Sequence, residues 1–178
     1  MLNTSIIIAG FGGQGILFTG KVLAYAGMVE GINVSHLPSY GPEMRGGTAN
    51  CTVCLCDDPV PSPLVTRPDM IVVMNQPSYD KFKNSVKIGG KVFIDNSLIS
   101  DYAETTDGID TFAIPATELA REKGLNGLAN MIMLGKILKE TDLFSIEEIE
   151  AGLKKAVPEK KAHLIPSNIE AVKLGMSL

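Results

Sequence analysis

The stretch IIIAGFGGQG at residues 6–15 decides the fold of this chain. A short apolar run ends in a glycine-rich turn, and a segment with apolar residues at helical spacing follows directly. Gly10, Gly12 and Gly15 satisfy the spacing G-x-G-x-x-G, and Gly13 adds a fourth glycine. This pattern is typical of a β-strand that enters a phosphate-binding turn and then a helix, whose first N–H groups face an anion.

The rest of the chain alternates between strand and helix patterns. Strands are predicted at about residues 4–9, 32–37, 48–56, 70–74, 91–95 and 109–114. Helices are predicted at about residues 14–30 and 77–83 and from 115 onward, including 126–139 and one that opens with a capping box at Ser145. Pro158 and Pro166 are expected to break up the tail. We therefore predict one α/β domain over residues 1–178, with a doubly wound, mostly parallel, Rossmann-like sheet, helices on both faces and a helical C-terminal segment.

Composition limits the classes of partner. The chain has 178 residues and a net charge of −4 without a basic run, so we expect it to bind neither nucleic acid nor a membrane surface. No apolar run approaches the roughly 18 residues of a membrane span. The N-terminus lacks the pattern of a signal peptide. We expect a soluble, cytoplasmic protein.

Ligands of doubly wound sheets bind beyond the carboxyl ends of the strands. The glycine turn at 12–15, the loop at 35–47 and residues 75–78 all follow predicted strands, so we expect them to gather at one edge. A nicotinamide dinucleotide site also needs an acid near the end of the second strand. No acid stands near Ser35 or His36, which argues against NAD(P). Two interpretations of the glycine turn remain: it only packs helix against strand, or it binds another phosphate-bearing ligand.

A second glycine-rich segment, SYGPEMRGG, occupies residues 39–47. Arg45 has a fork of donors that suits a phosphate or a carboxylate, and Gly46 and Gly47 expose backbone N–H groups. The alternative is a surface loop whose Arg45 meets only Glu43 or water. His36 lies beside the expected crevice and is interpreted as a hydrogen-bonded structural residue rather than a general base.

Three cysteines lie within six residues, at Cys51, Cys54 and Cys56. On a strand Cys54 and Cys56 share one face while Cys51 points to the other, which argues against a metal site. A [4Fe–4S] cluster needs four thiolates, and the chain has three cysteines. Buried strand cysteines are favoured, and a reactive or redox thiol stays open.

Taken together, residues 10–15 and 39–51 resemble the gamma subunit of 2-oxoacid:ferredoxin oxidoreductases, and residues 75–78 and the C-terminal part extend the resemblance. The form SYGPEMRGG is most similar to subunits of the 2-oxoglutarate and 2-oxoisovalerate enzymes. The resemblance implies a complex that decarboxylates a 2-oxoacid on thiamine diphosphate, passes electrons through [4Fe–4S] clusters to ferredoxin, and transfers the acyl group to coenzyme A. Which 2-oxoacid it uses, and the subunit stoichiometry, remain open.

The resemblance also implies that different subunits carry different cofactors. Thiamine diphosphate, magnesium and the clusters are expected in partner alpha, beta and ferredoxin-like delta subunits, so the isolated chain is expected to be inactive, without catalytic residues or metal ligands of its own. The gamma-type domain is implicated in holding coenzyme A. The implied coenzyme A ligands are Gly12, Gly13, Gln14, Gly15, Arg45, Gly46 and Gly47.

Thr19 and Lys21, on the helix that follows the turn, are weaker candidates. Leu37, Tyr40 and Met44 are expected to be exposed at a partner interface. A free-standing NAD(P)-binding oxidoreductase and a purely structural subunit are the alternatives.

Overall fold

The computed structural model describes residues 1–39, 48–104 and 108–178. Its strands are β1 (Asn3–Phe11), β2 (Asn33–Ser39), β3 (Thr48–Cys56), β4 (Met70–Val73), β5 (Lys91–Asp95) and β6 (Asp110–Ile114). Its α-helices are α1 (Ile16–Val29), α2 (Gln76–Phe82), α3 (Ala116–Glu122), α4 (Ala129–Thr141), α5 (Ile146–Ala156) and α6 (Ile165–Met176). A 3₁₀ helix over Glu159–Leu164 joins α5 to α6.

The six strands form one sheet in the order β2-β3-β1-β4-β5-β6. β1, β4, β5 and β6 are parallel neighbours, whereas β3 pairs antiparallel with both β1 and β2. Five strands therefore share one direction, and the predicted α/β fold with a mostly parallel sheet is confirmed. The departure from an all-parallel arrangement is β3, which lies between β1 and β2.

Helices cover both faces of the sheet, as predicted. Side chains alternate along β1, so Ile6 and Ile8 belong to a large core that includes residues of α1, α3, α4, α5 and α6. Ile7 and Ala9 face a smaller core on the other side, to which α2 contributes Tyr79. Because β4 is buried on both faces, its sequence is a continuous apolar run.

The predicted limits of β3 and β5 match the observed ones. β1 is longer than predicted at both ends because it pairs with β3 over its whole length, from Asn3 opposite Cys56 to Phe11 opposite Thr48. The predicted capping box of α5 is present: the Ser145 hydroxyl accepts from the Glu148 N–H, and the Glu148 carboxylate accepts from the Ser145 N–H.

The tail changes structure near Pro158 and Pro166, as expected. Pro166 lies in the first turn of α6, where a missing N–H removes no helical hydrogen bond. Pro158 precedes a change of structure, because it caps the 3₁₀ helix that follows α5.

Within the described parts of the chain, none of the helices is long and apolar enough to cross a membrane.

Candidate functional site

A cleft of about 540 Å³ lies at the carboxyl ends of β1, β4 and β5. The glycine turn forms one side, the residues that follow β4 and β5 form the floor, and α3 with the start of α4 forms the other side. The lining residues are Gly13, Gln14, Met74, Ser97, Leu98, Thr117, Glu118, Ala120, Arg121, Asn126, Gly127 and Ala129. The glycine turn and the end of β4 therefore meet at one edge, as the sequence predicts.

The turn exposes backbone to this cleft at Gly13. Gly13 has φ of +95°, a backbone conformation that residues with a side chain rarely adopt. A Cβ placed there would have no neighbour within 4 Å. Gly12 beside it is exposed. A ligand can therefore approach the backbone at residues 12–13 closely.

Gln14 braces the turn with its own side chain. Its Oε1 accepts from the Phe11 N–H at 2.6 Å, and its Nε2 donates to the Met74 carbonyl at 2.9 Å. Gln14 lines the cleft, but its amide already joins the end of β1 to the end of β4. The backbone of the turn, more than the Gln14 side chain, is what remains for a ligand.

Helix α1 begins directly after the turn and has no side-chain cap among the described residues. Gly15 occupies the N-cap position with φ of +75° and has no side chain, and none of the described side chains accepts from the first N–H groups. The first N–H groups of a helix have no partner within the helix and carry the positive end of its dipole. This end of α1 is therefore suited to an anion.

Helix α3 also begins at the cleft, but the protein caps it internally. Asp95, fully buried at the end of β5, accepts from the Thr117 N–H at 3.2 Å and from the Thr117 hydroxyl at 2.5 Å. The Ser97 hydroxyl accepts from the Glu118 N–H at 3.0 Å. A carboxylate of the chain itself thus occupies the position that an anion would take at α3.

One cation stands among the described residues that line the cleft. Arg121 on α3 lies 3.6 Å from the Glu118 carboxylate, and both side chains are more than half exposed. An exposed pair at that distance is weak, so the guanidinium is available to a stronger anion.

The two weaker candidates on α1 do not face the cleft. Thr19 is buried, and its hydroxyl donates to the Gly15 carbonyl at 3.1 Å. Lys21 reaches towards α5, where its Nζ donates to the Ala156 carbonyl at 3.3 Å. Leu37 is 39% exposed, as expected of a partner surface. Four predicted site or surface segments, Tyr40, Met44, Arg45 and Gly46–Gly47, lie outside the described residues.

His36 lies under α1 and does not line the cleft. Its Nε2 is buried next to Gly20 and has no hydrogen-bond partner among the described residues, so the hydrogen bond predicted for it is not found there. Burial, and then the charge of Lys21, lower the pKa of His36 below its usual value. The imidazole is therefore held in its neutral form.

The cysteines are buried strand residues, and their predicted alternation is confirmed. Cys51 belongs to the core under α1, whereas Cys54 and Cys56 lie on the other face, near Ser62 and Asn3 respectively. Burial raises the pKa of Cys51 to about 12 and also raises the pKa values of Cys54 and Cys56. Protonated thiols on opposite faces of a strand do not fit an iron–sulfur cluster, which is bound by converging thiolates.

Sequence reasoning missed Asn130 and Arg121 at this site. Asn130, on α4, donates from Nδ2 to the Gly15 carbonyl at 3.2 Å and to the Thr19 hydroxyl at 3.1 Å. No local pattern pairs residue 130 with a turn 115 positions earlier. The signal that was available is an asparagine inside an otherwise apolar helix segment, ANMIML.

Two comparisons of sequence relate the chain to known proteins. Residues 5–178 match the family model described as pyruvate ferredoxin/flavodoxin oxidoreductase. The 2-oxoglutarate synthase subunit KorC of Methanocaldococcus jannaschii is 35% identical over 160 residues, which cover 89% of this chain and 86% of KorC. The ketoisovalerate oxidoreductase subunit VorA of Methanothermobacter marburgensis is 44% identical over 131 residues, 74% of this chain. That match covers 27% of VorA, so the chain corresponds to about a quarter of the longer protein.

Solved structures share the fold over nearly the whole chain. The gamma subunit of a keto/oxoacid ferredoxin oxidoreductase from Geobacter sulfurreducens superposes with a TM-score of 0.82 at 26% identity, covering 98% of this chain and 96% of that one. A 2-oxoglutarate:ferredoxin oxidoreductase from Magnetococcus marinus, solved with 2-oxoglutarate, coenzyme A and succinyl-CoA, gives 0.87 at 24% identity. The superposition covers 99% of this chain and 31% of the Magnetococcus marinus chain. At this level of identity the likeness shows a shared fold alone.

Proposed function

This chain belongs to the pyruvate ferredoxin/flavodoxin oxidoreductase family, as a gamma-type subunit, and we propose that it forms one wall of the coenzyme A site of its complex. The complex oxidises a 2-oxoacid of the 2-oxoglutarate or branched-chain class. One 2-oxoacid, one coenzyme A and two oxidised ferredoxins become acyl-CoA, CO₂, one proton and two reduced ferredoxins.

The partner subunits supply the redox cofactors in this proposal. Thiamine diphosphate with magnesium and the [4Fe–4S] clusters are assigned to alpha, beta and ferredoxin-like delta subunits. The observation that supports this division is the state of the three cysteines, which are buried, protonated and divided between two faces of β3. This chain then binds and orients a substrate and carries no electron itself.

The observation that carries the coenzyme A assignment is the open end of α1 at the cleft. Bare backbone at Gly13 faces a space of about 540 Å³, within the range of small-molecule sites, and the uncapped start of α1 directly follows the turn. Coenzyme A carries a diphosphate and a 3′-phosphate, and phosphates bind at helix N-termini of this kind. Residues 12–15 would cradle one phosphate through the backbone.

Two arginines are proposed to hold the remaining negative charge. Arg121, across the cleft from the turn, is placed where it can pair with a second phosphate group. Arg45 is proposed to pair with a phosphate as well, with Gly46 and Gly47 admitting the ligand. A guanidinium matches phosphate oxygens through two parallel hydrogen bonds.

A pair of variants at Gly13 tests the assignment. Asparagine and aspartate have the same shape and are among the residues that best tolerate positive φ, so Gly13→Asn and Gly13→Asp differ mainly in one negative charge. Calorimetric titration of the assembled complex with coenzyme A should give an affinity at least about tenfold lower for Gly13→Asp than for Gly13→Asn, because a carboxylate repels the phosphate.

Equal affinities for the two variants would contradict a phosphate at the turn and would favour a purely structural subunit. Purification of the native complex through this chain tests the assembly independently. Recovery of no thiamine-diphosphate-binding chain would contradict the proposed complex.

A further inference from the structure

We infer that Asn130 is a positioning residue for the glycine turn: it acts on coenzyme A through Gly15 and touches no ligand itself. This inference rests on the proposed function and names the residue that prepares the turn for its phosphate.

Asn130 is a buried amide whose hydrogen bonds all run to the start of α1. It is 4% exposed, and its Nδ2 donates to the Gly15 carbonyl at 3.2 Å and to the Thr19 hydroxyl at 3.1 Å. The Thr19 hydroxyl in turn donates to the same carbonyl at 3.1 Å. The Oδ1 of Asn130 is buried without a partner among the described residues. These contacts hold one backbone carbonyl from two helices.

The held carbonyl belongs to the same peptide unit as the first N–H group of α1. A peptide unit is planar and trans, so the Gly15 carbonyl and the Ile16 N–H point in opposite directions. The Ile16 N–H is one of the first N–H groups of α1, which have no side-chain cap among the described residues. The Thr19 N–H donates to the Gly15 carbonyl at 2.9 Å and points the Ile16 N–H along the N-terminal end of the helix. Asn130 restrains the same carbonyl from a second helix, so removing Asn130 leaves this N–H less firmly held.

The absence of a side chain at Gly15 leaves room for the Asn130 amide. A Cβ on Gly15 would lie 2.8 Å from Cγ of Asn130, closer than side chains approach one another. A Cβ on Gly13, by contrast, would meet nothing within 4 Å. The two glycines thus have different tasks: Gly13 leaves room for a ligand, and Gly15 leaves room for Asn130.

The chain contains a matched control for Asn130. Asn168 on α6 is 5% exposed, donates from Nδ2 to the Leu164 carbonyl at 2.8 Å, and has an Oδ1 without a partner among the described residues. It is a buried helical asparagine with the same kind of backbone contact, but it holds the start of α6 instead of the glycine turn.

The experiment compares Asn130→Ala with Asn168→Ala in the assembled complex. Steady-state kinetics should show KM for coenzyme A raised about tenfold by Asn130→Ala, the size of one lost positioning hydrogen bond, with kcat within about twofold. KM for the 2-oxoacid should not change. Asn168→Ala should lower the thermal unfolding temperature to a similar degree and leave KM for coenzyme A at the wild-type value.

A second pair of variants, at Thr19, tests the same inference if Asn130→Ala does not fold. Thr19→Ser keeps the hydroxyl that links Asn130 to Gly15, whereas Thr19→Val removes it with little change of shape. Thr19→Val should raise KM for coenzyme A severalfold, and Thr19→Ser should not.

Equal KM values for Asn130→Ala and Asn168→Ala, or for the two Thr19 variants, would overturn the inference. If Gly13→Asp weakens coenzyme A binding while Asn130→Ala and Thr19→Val do not, this inference alone is wrong. If none of these variants changes the affinity for coenzyme A, the proposed function and the inference both fail.

Discussion

Helices α1 and α3 begin at the same cleft, but their first turns are completed in opposite ways. At α3, the buried Asp95 carboxylate accepts from Thr117, and Ser97 accepts from Glu118. At α1, the N-cap is Gly15, and no side chain caps the helix among the described residues. A helix start is therefore open to a ligand only where the chain has not supplied its own acceptor for the first N–H groups.

The lengths and packing of the two helices explain this difference. α3 has seven residues, so a cap is a large part of what stabilises it. α1 has 14 residues and buries much of one side against the sheet and α5, so packing stabilises it without a cap. An open helix start thus costs α1 less than it would cost α3.

Removing the internal cap of α3 should have the largest effect. Asp95→Ala leaves the Thr117 hydroxyl and the backbone N–H groups of Ser97 and Thr117 without their acceptor in a partly buried place. We expect the free energy of unfolding to fall by about 3 kcal/mol. Urea denaturation of the purified chain measures this. Asp58→Ala, at an exposed position, is the control and should change the free energy by less than about 0.5 kcal/mol. A similar small change for Asp95→Ala would mean that the cap does not hold α3.

The open start of α1 can be disturbed at Gly15, with Gly31 as a matched control. Both glycines have φ of +75°, but a Cβ on Gly31 meets nothing within 4 Å while one on Gly15 meets Asn130. Gly31→Ala should cost about 1 kcal/mol of unfolding free energy from backbone strain alone. Gly15→Ala should cost at least about 1 kcal/mol more, because Asn130 must also move. Equal costs in denaturant unfolding would show that the contact with Asn130 is unimportant.

Arg121 offers a smaller, charge-based test at the α3 side of the cleft. Arg121→Ala should weaken coenzyme A binding by the assembled complex about two- to fivefold, and the difference should shrink at high salt, because the exposed guanidinium is screened. Lys123→Ala removes a cation that follows α3 but does not line the cleft, and it should leave the affinity unchanged. If the two variants weaken binding alike, the effect reflects net charge, and Arg121 has no specific partner.

The smallest effect is expected under α1, at His36. Burial and Lys21 lower its pKa in the folded chain, so the unfolded chain binds the proton more readily. The contribution of His36 to stability should be fully present above about pH 6.5 and should be lost as the pH falls below that value towards the lowered pKa. His36→Gln should remove this part of the pH dependence. Parallel stability curves for the two proteins between pH 7 and pH 5 would contradict it.

Much of the fold was predictable because local patterns carry it. The apolar run before the glycines predicted β1, the glycine spacing predicted the turn, and the alternation at 48–56 predicted β3 with its limits. The position of β3 between β1 and β2 was not predictable, since alternation defines which face of a strand is buried but not which strand lies beside it.

The candidate site was predictable on one side only. The glycine turn was predictable because glycine permits positive φ, whereas Asn130, Ser97 and Arg121 belong to ordinary helix and loop patterns. Lys21 illustrates the converse, because its place after the turn suggested a ligand and its side chain instead reaches α5.

By itself, the sequence determined that a strand feeds a glycine turn and a helix, since hydrophobic spacing and the backbone freedom of glycine act within a few residues. Only the tertiary structure decided what each glycine and each helix start is for. It brought Asn130 against Gly15 and Asp95 against Thr117, pairs separated by 115 and 22 positions. The physical reason is that hydrogen bonds and packing act through space, and the folded chain fixes which donors are satisfied internally and which are left for a ligand.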